Sequence, residues 1–195
     1  MRNFQQINTA TWREGHLTDM SDEPGNTPID AGVRMGHVHL KVADLERALD
    51  FYCGVLGFQL MQRFGDSAAF ISAGGYHHHI GLNTWESKGG GAPAAGTTGL
   101  YHLAIVYPTR AALGDALGRL MRAGVPLEGA ADHGVSEALY LRDPDGNGVE
   151  LYWDRPPAEW PRDAQGGLAM YTRALDLRGL LEVGNARESG GAVLP

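Results

Sequence analysis

The sequence predicts an α+β fold built from two tandem βαβββ modules. Three observations carry the prediction. The order strand, helix, strand, strand, strand is legible twice, over 35–86 and over 99–162, in a chain of 195 residues. A glycine-rich linker at 87–98, containing GGGAPAAGTT, separates the two copies. A histidine stands at the same place in the first strand of each, as His37 and His102. Internal repetition matters because it predicts that equivalent positions meet across a pseudo-twofold axis.

Periodicity begins at Met35. Residues MGHVHLKV alternate like a half-buried strand, Asp44 is placed to cap a helix, and Leu45, Ala48, Leu49, Tyr52, Val55 and Leu56 recur at helical spacing. Gly57 ends that helix. The segments FQLMQRF, SAAFISA and YHHHIGLNTW follow as strands, punctuated by Gly65 and Asp66 and then by Gly74 and Gly75. In the second copy LYHLAIV is the strand, Thr109 the cap, and Ala112, Leu113, Ala116, Leu117, Leu120 and Met121 the helical stripe, stopped at Gly124. VPLEGA, SEALYLR and GVELYW close it, with DPDGNG as the turn before the last strand; that run lacks the spacing of a calcium loop. Residues 1–34 are polar and aperiodic and read as an N-terminal arm. Residues 163–195 form a C-terminal extension, with a short helix over LAMYTRALDLRGLLEV and a loose tail, ARESGGAVLP.

The bulk numbers narrow the function. A net charge of −7 and a pI near 5.5, with both signs interspersed, provide no basic stripe for a phosphate backbone, so nucleic acid is not expected as a partner. Cys53 is the single cysteine, which rules out an intramolecular disulfide, and its place in the helical stripe predicts an inert, buried thiol. No stretch approaches the ~20 apolar residues of a membrane span, and the first residues lack the apolar core of a leader. The expectation is a cytoplasmic protein with no membrane partner.

Aligning the modules by their helix caps sets His37 opposite His102, and aligning the last strands sets Gly81 opposite Glu150. Face to face, these four positions converge, with Gly81 an empty corner. Two imidazoles and one carboxylate with open positions suit non-haem Fe(II), with Mn(II) as substitute. Taken singly, each histidine reads as an ordinary hydrogen-bonded strand residue. Glu150 lies between Val149 and Leu151, where an unpaired charge is costly and an ion would compensate it. In the run His77, His78, His79, alternation sends His79 inward, as a replacement ligand or an acid–base group, and His78 toward the helix layer or solvent; all three also fit a structural role. His133 and Tyr140 fall near the second module's inner hairpin, where they either hydrogen-bond a bound oxygen ligand or simply pack.

The blocks GHVHLKVADLERALDFYCGVLGF, YHHHIGLNTW, DHGVSEALYL and DPDGNGVELYWDRP together resemble the vicinal oxygen chelate superfamily, in its catechol 2,3-dioxygenase-like branch with the glyoxalase and bleomycin-resistance proteins, over about residues 35 to 162. The resemblance implies paired βαβββ modules forming a cupped mixed sheet, a homodimer and one metal chelated by vicinal oxygens of a substrate. It maps the ligands of the extradiol enzymes onto His37, His102 and Glu150, assigns His133 and Tyr140 to oxygen intermediates, and offers His79 or His77 as an activating histidine. A fourth carboxylate ligand, used by the resembling glyoxalase I enzymes, is missing at Gly81. The implied activity is Fe(II)-dependent extradiol cleavage of a small aromatic diol with dioxygen as co-substrate. The alternatives are an oxygen-independent metalloenzyme and a non-catalytic binding or resistance protein.

Overall fold

A computed structural model describes residues 28–190. Both copies of the predicted module are present. The first contains β1 (Val38–Lys41), α1 (Leu45–Leu49, continued as a π-helical turn over Asp50–Val55), β2 (Gln59–Phe64), β3 (Ala68–Ser72) and β4 (Ile80–Asn83). The second contains β5 (Leu103–Val106), α2 (Arg110–Arg122), β6 (Leu127–Asp132), β7 (Ser136–Arg142) and β8 (Gly148–Asp154). Each sheet repeats one order: β1-β4-β3-β2 in the first, and β5-β8-β7-β6 in the second, where β9 (Arg173–Ala174) adds a fifth strand beside β6.

Local chemistry explains where the helices begin and end. The Asp44 carboxylate accepts from Arg47 N at 3.1 Å and the Thr109 hydroxyl from Ala112 N at 3.1 Å, so both predicted caps are formed. Gly57 and Gly124 close the helices at φ 86° and 68°, the left-handed conformation that only glycine adopts cheaply.

The parallel ladders β1·β4 and β5·β8 define the equivalence of the modules. His39 pairs with Gly81 and Ala104 with Glu150, so His37 and His102 each lie two residues before the matched rung. The apolar faces share one core. Leu40, Ile71, Ile80 and Leu82 of the first module pack in the same cluster as Leu113, Leu139, Val149 and Leu151 of the second.

The turn before β8 ties the modules together. Buried Tyr52 donates to Asp143 Oδ2 at 3.0 Å, while Asp145 Oδ1 accepts from Ala43 N at 2.9 Å and pairs with Arg47 at 2.6 Å. The sheets themselves stay separate, because β1 and β5 each end a sheet and pair only inward.

The C-terminal extension differs from its sequence reading. Its helix, α3 (Leu177–Gly190), starts later and runs through part of the expected tail. A non-local pairing of β9 with β6 takes the residues just before it. On α2, Gly114 meets Gly184 of α3, where a Cβ on Gly114 would strike Leu180 O and one on Gly184 would strike Gly114 C. The glycine pair lets the backbones touch and leaves Leu180 fully buried. Most of the expected N-terminal arm, and the last residues of the tail, lie outside the described residues. No helix among the described residues is long and apolar enough to cross a membrane.

Candidate metal centres

In the second module four of the expected residues form one continuous line. His102 Nε2 stands 2.9 Å from Glu150 Oε2, Tyr140 Oη donates to Glu150 Oε1 at 3.1 Å, and His133 Nε2 reaches Tyr140 Oη at 2.8 Å. Strand pairing sets this up, because Tyr140 and Glu150 are direct partners across β7 and β8. With the phenol proton committed to Glu150, His133 donates through Nε2, and its Nδ1 faces the Thr172 hydroxyl at 3.2 Å. Glu150 is 13% exposed and His102 31%. Burial, and then the neighbouring Glu150 charge, push the Tyr140 phenol well above its ordinary range, so it stays a proton donor.

Two donor atoms bound cis to one ion at ~2.1 Å stand ~3.0 Å apart, which the His102–Glu150 separation of 2.9 Å matches. The two lone pairs need a proton or a cation between them. These residues fit half of a divalent-metal centre.

His37 stands just before β1 in the first module. Its ligand atom lies within 4.8 Å of those of His39 and His78, and among the described residues this is the group of three or more potential donors that close.

The corner at Gly81 is not empty either. A Cβ there would lie 2.5 to 2.7 Å from three atoms of the His39 ring, so that imidazole covers the position. The sequence carried a signal for His39, which alternation places on the face of His37. His78, expected toward the helix layer or solvent, is half-buried and joins His37 and His39, because β4 begins only at Ile80 and strand alternation does not govern the residues before it. His79 is exposed and outside the group; its Nδ1 meets the Ser72 hydroxyl at 3.0 Å.

Comparison with known proteins decides the family. A model of the Glyoxalase/Bleomycin resistance protein/Dioxygenase superfamily matches residues 34–151. The chain belongs to that superfamily. It is 46% identical over 156 residues to a catechol-2,3-dioxygenase of Bacillus subtilis (strain 168), covering 80% of this chain and 54% of that protein. A probable lactoylglutathione lyase of Synechocystis sp. is 27% identical over 124 residues, 59% of this chain and 91% of that one. Among solved structures, a glyoxylase/bleomycin resistance protein/dioxygenase domain from Frankia sp. EAN1pec superposes with a TM-score of 0.53 at 26% identity, over 63% of this chain and 98% of that one. The chain spans from about half to just under two thirds of the length of the dioxygenases it matches, 54% to 65%.

Proposed function

We propose that this chain is an Fe(II)-dependent extradiol dioxygenase, with Mn(II) as an alternative metal, that opens the ring of a catechol-type substrate beside its two hydroxyls. The observation that carries the reading is the line His133–Tyr140–Glu150–His102, which joins proton donors to a carboxylate and imidazole at cis-ligand spacing. The relationship to a catechol-2,3-dioxygenase at 46% identity supports it. In the reaction both atoms of dioxygen enter the product and the carbon–carbon bond next to the diol breaks.

His102 and Glu150 would hold the metal, which when bound supplies an electron path between the diol and oxygen. Tyr140, kept neutral by its surroundings, orients Glu150 and presents a proton at Oη. His133 stands behind it, its Nε2–H directed at the phenol oxygen, to resupply that proton. Small Ala104, paired with Glu150, leaves the carboxylate room above the sheet. A homodimer belongs to this reading, because β1 and β5 offer unpaired backbone edges and a second copy is a fitting occupant.

The test is an anaerobic assay of the iron-loaded protein on a panel of catechols, followed by admission of air. Ring-fission absorbance that appears only with air is expected. Turnover of a substrate without oxygen would instead favour the lyase-like reading, and no chromophore with any diol would sink the dioxygenase.

A further inference from the structure

We propose that the C-terminal extension contributes a positioning residue to the hydrogen-bonded line, Thr172, whose hydroxyl donates to His133 Nδ1 and so holds that ring in the tautomer with its proton on Nε2, aimed at Tyr140. The family match ends at residue 151, so this contact comes from a part of the chain outside the shared domain. The tautomer follows from hydrogen bonding alone, whereas its consequence for turnover rests on the dioxygenase reading.

Backbone contacts fix the route by which the extension reaches His133. Beyond β8 the chain doubles back, with Asp163 N bonded to Gly167 O and Ala169 N to Pro161 O, both at 2.9 Å. It then runs along the edge of β6, where Arg173 pairs with Asp132 and Ala174 with Ala131. Tyr171 N donates to His133 O at 3.2 Å, which carries the pairing past the end of β6. The turn is fastened from its other side as well. Asp132 Oδ1 accepts from Gly134 N at 2.8 Å, and Asp132 Oδ2 pairs with Arg155 at 3.1 Å. Gly134 takes φ 78°, and a Cβ there would lie 2.6 Å from the Tyr171 ring, so the extension is seated directly on the turn that presents His133.

Two groups compete for His133 Nδ1. The Thr172 hydroxyl and the Tyr171 carbonyl oxygen both stand 3.2 Å from it. A carbonyl only accepts, so it calls for a proton on Nδ1, whereas a hydroxyl also donates and satisfies a bare Nδ1. The opposite nitrogen decides between them. Nε2 lies 2.8 Å from Tyr140 Oη, and that phenol gives its single proton to Glu150 Oε1. Nε2 therefore has to donate, and a neutral ring then presents a lone pair at Nδ1. Of the two groups facing it, Thr172 is the one able to donate to that lone pair. Without the hydroxyl, Nδ1 would meet the Tyr171 oxygen as acceptor against acceptor.

Removing the hydroxyl should therefore reverse the line. His133 would carry its proton on Nδ1 and donate to Tyr171 O, and Nε2 would accept from the Tyr140 phenol, drawing its proton away from Glu150. The ring would then hold no proton to pass toward the phenol. Where a histidine acts through one nitrogen, the partner on its other nitrogen sets tautomer and orientation, and the wrong tautomer costs turnover while the geometry stays intact. Thr172 is exposed and β-branched, so valine keeps its shape in the strand and deletes only the hydrogen bond.

The experiment records nitrogen–proton NMR correlations of the imidazoles in the full chain, with His133→Gln assigning the His133 ring, at a pH where that ring is neutral. The native chain should carry the proton on Nε2. Thr172→Val should move it to Nδ1, and Thr172→Ser should restore the native pattern, with far-UV circular dichroism unchanged throughout. In iron-loaded protein, Thr172→Val should lower kcat on a catechol about 10-fold with KM unchanged, short of the roughly 10²-fold or more expected from losing an acid–base group outright, and Thr172→Ser should recover most of it. A native ring protonated on Nδ1 would overturn the proposal, as would a folded Thr172→Val chain that keeps the Nε2 proton. A chain that opens no catechol yet shows the tautomer exchange would sink the dioxygenase reading and still support the hold of Thr172 on His133.

Discussion

The two modules share one frame and spend it differently. Each pairs its first strand with its last in parallel, but the matched rung reads His39 beside Gly81 in the first module and Ala104 beside Glu150 in the second. A small residue faces a histidine in one and a carboxylate in the other, with the strands exchanged. The next strand continues the contrast, since Phe70 pairs with Gly81 where Tyr140 pairs with Glu150. A carboxylate on the last strand recruits a phenol as hydrogen-bond donor, whereas an imidazole on the first strand recruits an apolar ring at 5.8 Å. Duplication thus fixes where donors can stand, and the side chain chosen at each rung decides which chemistry each copy supports.

Making the second module like the first should have the largest effect. Tyr140→Phe installs the first-module residue, strips Glu150 of its donor, and is expected to lower ring-cleaving turnover roughly 10²-fold with the fold intact. Steady-state kinetics that leave turnover unchanged would remove Tyr140 from the mechanism. The same phenol holds its proton more tightly in the folded chain than in the unfolded one. Its contribution to stability is therefore complete below the ordinary tyrosine pKa of about 10 and fades as pH rises through the higher folded value. Phenolate absorbance from Tyr140, isolated by difference from Tyr140→Phe, should appear only above that ordinary range.

Next in size is the clamp between modules. Tyr52→Phe leaves buried Asp143 short of one donor and should cost about 1 to 3 kcal/mol in denaturant unfolding. A change within error would mean that the Tyr52–Asp143 hydrogen bond does not couple the copies. Smallest and most symmetric are the caps. Asp44→Ala and Thr109→Ala should each cost about 1 kcal/mol, because each removes one acceptor from an equivalent helix start. A clear inequality would show that the shorter α1, with its π-helical continuation, depends on its cap differently from α2.

Much of the frame was readable from the residues. Asp44, Thr109, Gly57 and Gly124 act locally, and their roles follow from backbone hydrogen bonding and φ alone. The alignment of His37 with His102 and of Gly81 with Glu150 was readable as well, because strand register follows alternation once the helix caps are matched. The departures come from non-local causes. No local pattern announces that β1 and β5 remain at separate sheet edges. His78 departs from strand alternation because β4 begins only at Ile80. The start of α3 at Leu177 reflects pairing of Arg173 and Ala174 with β6, a contact reached across 40 residues or more that helical periodicity cannot register.

The central claim is that His102 and Glu150 belong to a metal centre. Anomalous difference maps from zinc-loaded crystals, collected on either side of the zinc edge, test it most directly. The expected result is a peak bonded to His102 Nε2 and Glu150. Zinc peaks that touch neither residue would contradict it.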